Sequence, residues 1–389
     1  MRVVRVITRL NVGGPAIQAM TLSDRLASRG FETVLVHGQL DAGEGDMRYL
    51  LPPSVDVKYL AALRRPLEPA HDGVALAQLL DVMRDLRPQI VHTHMAKAGT
   101  LGRLAAAIYN RTAGRGDRAG VVHTYHGHVL DRYFSPTKTR LFLGAERAVA
   151  RITDRIVAIS PRIKTELLEQ YRIGRPGQYR VIPLGFDLAG LAAIDDNARA
   201  RARAALEIPA GAAVVTTVGR LTAIKQQQLF LEAALQIAAA HPALVFLIAG
   251  DGDLRAELEA SAATLGLADR VRFLGWRRDL ETIYGATDVF LLTSRNEGTP
   301  VALIESMAAG CAGVSTDVGG VADVLESDAV GLLAPDGDAP ALARCVIALL
   351  ADADRRRRMG QAGRALVVSR YGLDRLVTDV ETMYRELLH

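Results

Sequence analysis

Leu291-Leu292-Thr293-Ser294-Arg295-Asn296-Glu297-Gly298-Thr299-Pro300-Val301-Ala302-Leu303-Ile304-Glu305-Ser306-Met307-Ala308-Ala309-Gly310 reads as the end of a buried strand, a polar turn and the start of a helix. The strand runs from Val289 to Thr293, Thr299 has the side chain of an N-cap, and Pro300 has the fixed φ of a first helical residue. Amides in a first helical turn have no partner inside the helix and sit at the positive end of its dipole. The stretch therefore offers a seat for an anion such as a diphosphate. Two carboxylates bracket that seat. Glu297 lies in the turn and Glu305 more than one helical turn further on, so they face different parts of a ligand lying across the helix end.

Similar units recur along the chain. Val3 to Thr8, Thr33 to Val36, Ile90 to Thr93, Val121 to Tyr125, Arg155 to Ile159 and Tyr179 to Ile182 are short runs rich in Val and Ile, with helical stretches between several of them, the first from about Ala16 to Ser28. In the second half, strands start at Val214 and end at Gly250, at Gly275 and at Thr293. Alternating strands and helices indicate an α/β fold with parallel, doubly wound sheets. Ligands of such sheets bind at the carboxyl ends of the strands, which directs attention to the residues just after each one.

Composition bounds the function classes. The chain has 389 residues, 49% of them hydrophobic and 23% charged, which suits two globular domains with sizeable cores. Only two Cys occur, Cys311 and Cys345, without metal-type spacing, so neither a disulfide framework nor a zinc site is expected and a reducing cytoplasm fits. The start, Met1-Arg2-Val3-Val4-Arg5-Val6-Ile7, has Arg inside its apolar run and reads as a first strand, not a signal peptide. No apolar span of about 20 residues is present. A net charge of +4 is modest for this length, and the basic run Arg355-Arg356-Arg357-Arg358 has no interleaved aromatics, so nucleic acid is not an expected partner.

The spacing Glu297-x7-Glu305, with Gly298-Thr299-Pro300 between, resembles the retaining glycosyltransferases of family 4. The resemblance extends over nearly the whole chain. It implies a GT-B fold, two Rossmann-like domains facing each other across a cleft. The expected domains are residues 1–187, joined by the C-terminal helix 373–389, for the acceptor, and residues 199–372 for the nucleotide sugar. Ile182-Pro183-Leu184-Gly185-Phe186-Asp187 matches the family's hinge segment, and Leu188 to Ala198 reads as the linker. The resemblance assigns Glu297 to the donor sugar and Glu305 to the ribose of the nucleotide.

Arg220 and Lys225 follow the strand Val214 to Val218, as the family's phosphate-binding Arg and Lys do; two cations there would compensate the charge that grows on a leaving diphosphate. Gln226 departs from the Gly usual after that Lys. Asn296, Gly298, Thr299, Pro300 and Val301 complete the expected phosphate side, while Gly250 and Arg277 are placed at the base and ribose. After the first strand, Gly13-Gly14 reads as an acceptor-side or phosphate-side loop, with a structural turn as the alternative.

His92 and His94, like His126 and His128, are spaced to share one side of an extended chain. Four His invite a metal reading, but no carboxylate or Cys ligand accompanies them, and the family works without a catalytic metal. The resemblance implies that His126 hydrogen-bonds the donor sugar near the reacting carbon or the acceptor, with His94, Lys97 and His128 shaping the acceptor pocket. A supporting structural role is the alternative for each His. Lys138, Arg140, Arg147, Arg151 and Arg155, near Leu141 and Phe142, fit either peripheral contact with an anionic membrane at its inner face or a solvated helix face.

The expected activity is transfer of a hexose or N-acetylhexosamine, with retention, from a nucleotide diphosphate sugar, UDP-linked by family frequency, to a hydroxyl acceptor. That acceptor is a sugar, a lipid-linked sugar or a small metabolite. Neither cofactor nor metal is expected. A glycoside hydrolase fits poorly, because its two carboxylates flank one sugar bond. A GT-B sugar-nucleotide epimerase and a non-catalytic nucleotide-sugar-binding subunit of a polysaccharide assembly are the alternatives.

Overall fold

The structure is a computed structural model. It describes the backbone of residues 1–11, 13–41, 44–126 and 136–388, and the side chains over the same ranges except residues 115 and 136–138. The chain forms two compact units, Met1–Gly185 with Asp374–His389, and Phe186–Leu373.

Among the described residues the first unit holds a seven-stranded parallel sheet: β1 (Arg2–Ile7), β2 (Glu32–His37), β3 (Asp56–Tyr59), β4 (Ile90–His94), β5 (Gly120–Tyr125), β6 (Arg155–Ala158) and β7 (Tyr179–Val181), ordered β3-β2-β1-β4-β5-β6-β7. The second holds a six-stranded parallel sheet: β8 (Ala213–Val218), β9 (Leu244–Ala249), β10 (Val271–Gly275), β11 (Val289–Leu292), β12 (Ala312–Thr316) and β13 (Gly331–Ala334), ordered β10-β9-β8-β11-β12-β13. In each sheet the order reverses at the centre, between β1 and β4 and between β8 and β11. Crevices at such reversals are where doubly wound sheets bind ligands.

Both faces of each sheet are covered, which explains the near-continuous apolar strands. In β8 and β9 alternate residues serve opposite cores: Val214, Val245 and Leu247 pack with Ala202, Leu206 and Ala286, while Val215, Phe246 and Ile248 pack with Phe230, Leu231, Leu342 and Val346. In the first unit Val4, Val6, Val36 and Val91 meet Leu79, Met83, Leu101 and Ala105 from helices Pro69–Leu86 and Ala96–Thr112. On the other face Ile7 and Leu35 meet Ala16, Ala19 and Met20 of helix Gly14–Arg25. That helix starts and ends earlier than the sequence pattern suggests, because Pro15 fits its first turn and the chain tightens into a 3-10 turn at Ala27–Arg29.

Residues 188–198, which read as a linker, contain helix Ala189–Ala192, and Leu191 and Ile194 are buried. At the far end the chain breaks at Gly372 and forms helix Leu373–Leu388. Its Tyr384 is fully buried, with the ring edge-on to Phe31 at 5.5 Å between centroids, and Arg375 donates to the Pro183 and Leu184 carbonyls at 3.0 and 2.7 Å. Among the described residues no helix is long and apolar enough to cross a membrane.

Candidate active site

The central reversal of the second sheet brings two turns together. After β8 the chain makes a 3-10 turn at Ala223–Lys225, and after β11 it runs through Thr293–Pro300. Thr293 stitches them: its hydroxyl donates to the Lys225 and Gln226 carbonyls at 3.1 and 3.0 Å, and the Arg295 amide donates to the Ile224 carbonyl at 2.8 Å. Gln226 adopts the left-handed conformation, φ 47°, which accounts for a Gly being the easier residue at this step.

Held this way, Lys225 and Glu297 meet directly. Lys225 Nζ donates to Glu297 Oε1 at 2.5 Å, and Ser294 Oγ donates to the same oxygen at 2.6 Å. The carboxylate is only 10% exposed and the lysine 25%, so this is a shielded pair and not a surface one. Its backbone is fixed as well: the Gly320 amide donates to the Glu297 carbonyl at 2.8 Å. Gly319, at φ 53°, approaches so closely that a Cβ there would lie 2.0 Å from that carbonyl oxygen. Arg220 is exposed at the mouth of β8, and among the described residues its guanidinium has no ion-pair partner.

The helix after this turn begins one residue later than expected. It spans Val301–Ala308 with Pro300 at the N-cap and no side-chain cap, so Thr299 is not the cap and Pro300 is not its first residue. The cause is a tight turn: Pro300 has ψ 79°, and the Val301 amide donates to the Thr299 carbonyl at 2.9 Å. That removes Val301 from the free amides, and Pro300 has none to give. Among the described residues, the amides of Gly298, Thr299, Ala302 and Leu303 have no hydrogen-bond partner. These four, with Asn296 exposed beside them, stand where the anion seat is expected.

Glu305 projects from the same helix and is partly buried, accepting a hydrogen bond of 3.0 Å from the Tyr284 hydroxyl. Burial pushes its carboxyl up to about 7, against the lowering effect of the Tyr284 bond. At the next strand ends, the Gly250 amide donates to the Gly275 carbonyl at 2.8 Å, and a Cβ on Gly250 would lie 2.0 Å from the Gly219 carbonyl oxygen. Arg277 is clamped by both oxygens of Asp279, at 2.7 and 2.5 Å. Gly250 and Arg277 thus lie after β9 and β10, on the side of β8 away from Glu297.

In the first unit, Gly13-Gly14 leads directly into helix Gly14–Arg25, whose first turn carries no acid and no side-chain cap. His92 and His94 do share one side of β4, their rings stacked at 4.4 Å, but both are fully buried. His94 is thus enclosed. It stands behind His126, with Nδ1 2.9 Å from His126 Nε2. His126 is partly exposed, and burial and then the nearby Arg5 cation lower its imidazole to about 3, so it is neutral under working conditions. Lys97 is also diverted: its ammonium pairs with Asp72 and donates to the Pro66 carbonyl, tying two helices together. His128 and the segment Arg132 to Ser135 lie outside the described residues.

Several participants are visible only in three dimensions. Ser294 and Tyr284 orient the two glutamates, and Arg5 and Tyr384 stand behind the histidines. Arg5 had a signal, since a charge in the middle of a Val-rich strand is out of place; the others had none.

The family model described as Glycosyltransferase Family 4 matches residues 12–189, and that described as Glycosyl transferases group 1 matches residues 198–366. The chain belongs to glycosyltransferase family 4. The transferase is 28% identical over 347 residues to the UDP-Gal:alpha-D-GlcNAc-diphosphoundecaprenol alpha-1,3-galactosyltransferase of Escherichia coli, covering 88% of this chain and 87% of that one. It is 28% identical over 381 residues to the 2-deoxystreptamine N-acetyl-D-glucosaminyltransferase of Streptomyces fradiae, covering 93% and 88%. Its fold matches that of Anabaena Alr3699/HepE, solved in complex with UDP, with a TM-score of 0.84 at 20% identity over 99% of this chain and 100% of that one. The fold of the transferase is GT-B, built from two parallel-sheet Rossmann-like domains.

Proposed function

We propose that the transferase is a retaining, metal-independent hexosyltransferase that moves a hexose or N-acetylhexosamine from a UDP-linked sugar to a hydroxyl acceptor in glycan, glycolipid or glycosylated-metabolite biosynthesis. The observation that carries this reading is the meeting of Lys225 and Glu297 at the central reversal of the second sheet, beside four amides and an Arg220 guanidinium that have no partner among the described residues. Cations and amides aimed at one place stabilise charge that develops on a departing diphosphate. They supply there the charge compensation that a metal ion supplies in other transferases.

In this reading the diphosphate occupies the seat at Gly298–Leu303, and its arrival draws Lys225 away from Glu297. The freed carboxylate then accepts from hydroxyls of the donor sugar, and Glu305 accepts from the ribose. The acceptor binds the first unit near Gly13, Gly14 and His126. The bond from the anomeric carbon to the phosphate oxygen breaks, the acceptor oxygen bonds to the same face, and its proton passes to the departing phosphate. No side chain is required as a nucleophile. The uridine base is supported by the UDP-Gal named for the Escherichia coli relative and by the UDP held in the Anabaena structure of the same fold. A lipid-linked acceptor, as that relative's name specifies, would place the work at the inner face of a membrane.

The test is thermal stabilisation by UDP, GDP and ADP and their sugars in EDTA, followed by nuclear magnetic resonance of the product's anomeric configuration. A ligand at a hundred times its dissociation constant adds about 2.7 kcal/mol. A shift with UDP that survives EDTA, and an α product from an α donor, are the expected results. No shift with any nucleotide, or an inverted product, would remove the reading.

A further inference from the structure

Arg5 occupies the middle of β1 between Val4 and Val6, and its side chain is fully buried. Its partners are two imidazoles and a phenol. Nη1 lies 3.2 Å from His92 Nδ1 and 3.2 Å from His94 Nε2, and Nη2 donates to the Tyr384 hydroxyl at 3.1 Å. Among the described residues no carboxylate is paired with it. A buried guanidinium without a counter-ion is strongly unfavourable. A Val would extend the run Val3-Val4 to Val6-Ile7 without that penalty, so the charge has a task beyond filling the strand.

The task follows from which nitrogens carry protons. A guanidinium only donates, so His94 Nε2, which faces no other partner among the described residues, accepts. A neutral imidazole has one N–H, and burial lowers the imidazoles of His92 and His94 well below their ordinary range. His94 therefore carries its proton on Nδ1, where it donates to His126 Nε2 at 2.9 Å. His126 in turn must carry its own on Nδ1. His92 beside it is held by the same group, with Nδ1 2.6 Å from the Tyr384 hydroxyl and Nε2 2.7 Å from Thr124 Oγ1. His126 Nδ1 is buried and has no partner among the described residues. A buried donor left unpaired calls for an acceptor oxygen to complete it.

We infer that Arg5 is a positioning residue that fixes, through His94, the Nδ1–H tautomer of His126, so that His126 meets an oxygen of the bound sugar substrate as a hydrogen-bond donor and not as a base. The inference rests on reading His126 as a ligand contact. The groups facing this chain are Arg5 from β1, His92 and His94 from β4, His123 and Tyr125 from β5, and Tyr384 from the last helix. Among the described residues none of them is a carboxylate, so none of these groups draws a second proton onto His126.

The test reads the tautomer directly, by long-range proton–nitrogen correlation on the full chain labelled with 15N-histidine, the His126 signals being identified by their loss in His126→Gln. Wild-type His126 is expected protonated on Nδ1 and unchanged from about pH 5 to about pH 8. In Arg5→Met the restraint is gone, and His126 is expected to shift to the Nε2–H form or a mixture; Arg5→Lys, again donor-only, restores the Nδ1–H form. Transfer in Arg5→Met is expected to fall about tenfold in kcat/KM, equivalent to about 1.4 kcal/mol, with UDP affinity unchanged. An Nε2–H His126 in the wild type, or the Nδ1–H form persisting in Arg5→Met, overturns the proposal. If Arg5→Met does not fold, the wild-type spectrum decides. Wild-type transfer by His126→Gln alongside the expected tautomers would instead overturn the reading of His126 as a ligand contact.

Discussion

Glu305→Gln is expected to make the transferase more stable and a poorer binder of nucleotide. Burial raises this carboxyl from 4.5 to about 7, so the folded protein holds its proton to higher pH than the unfolded chain does. Below the unfolded value both states are protonated and nothing is gained or lost. As pH rises from there through about 7, ionisation in the folded state becomes a penalty, complete above that value. At about 1.4 kcal/mol for each pH unit, the penalty reaches at most about 3.5 kcal/mol. Glutamine removes it and still accepts from Tyr284. For a unit of this size that corresponds to a rise of roughly 7–14 °C in melting temperature at most. Loss of a charged acceptor for the ribose should weaken UDP by about 1.5–3 kcal/mol. The assays are melting of wild type and variant from acid to mildly alkaline pH, and calorimetric titration with UDP. The variant's advantage should be absent in acid and full in alkali; a constant difference, or a variant less stable above neutrality, would refute the burial argument.

Under the proposed ribose contact, which uses the ionised form of Glu305, wild-type affinity for UDP should rise with pH up to about 7 and level off above it; titrations across that range check it. Lys225→Ala and Arg220→Ala should each lower turnover by about 10²–10³ with the fold intact, as loss of one preorganised charge at a leaving group does. Gly319→Ala should also depress transfer, because its Cβ would lie 2.0 Å from the Glu297 carbonyl oxygen and must displace that turn; steady-state kinetics and a melting curve separate this from unfolding. Tyr384→Phe leaves Arg5 and His92 each short of a buried partner and should cost about 1–3 kcal/mol in urea unfolding.

What could be read from the sequence depended on burial. Strands covered on both faces, such as β9 and β11, stand out as short apolar runs. The edge strand Asp56–Tyr59 is mostly exposed and alternates charged and apolar residues, so nothing distinguishes it from a loop. The positions of Arg220, Lys225, Glu297 and Glu305 followed from strand ends and a helix start, which are local features. The side chains that hold them are not local: Lys225 meets Glu297 across 72 positions, and His92 meets Tyr384 across 292. The partners of His94 and Lys97 were hidden for the same reason, since nothing nearby in sequence announces that Arg5 and Asp72 contact them.

The account stands on Glu297 acting on the donor sugar while the seat beside it holds the diphosphate. Turnover and UDP affinity of Glu297→Ala, measured on one preparation, address both halves at once. The account predicts that transfer is lost while UDP binds within a few-fold of wild type, because Lys225, Arg220 and the free amides remain. Wild-type turnover by the variant would contradict it.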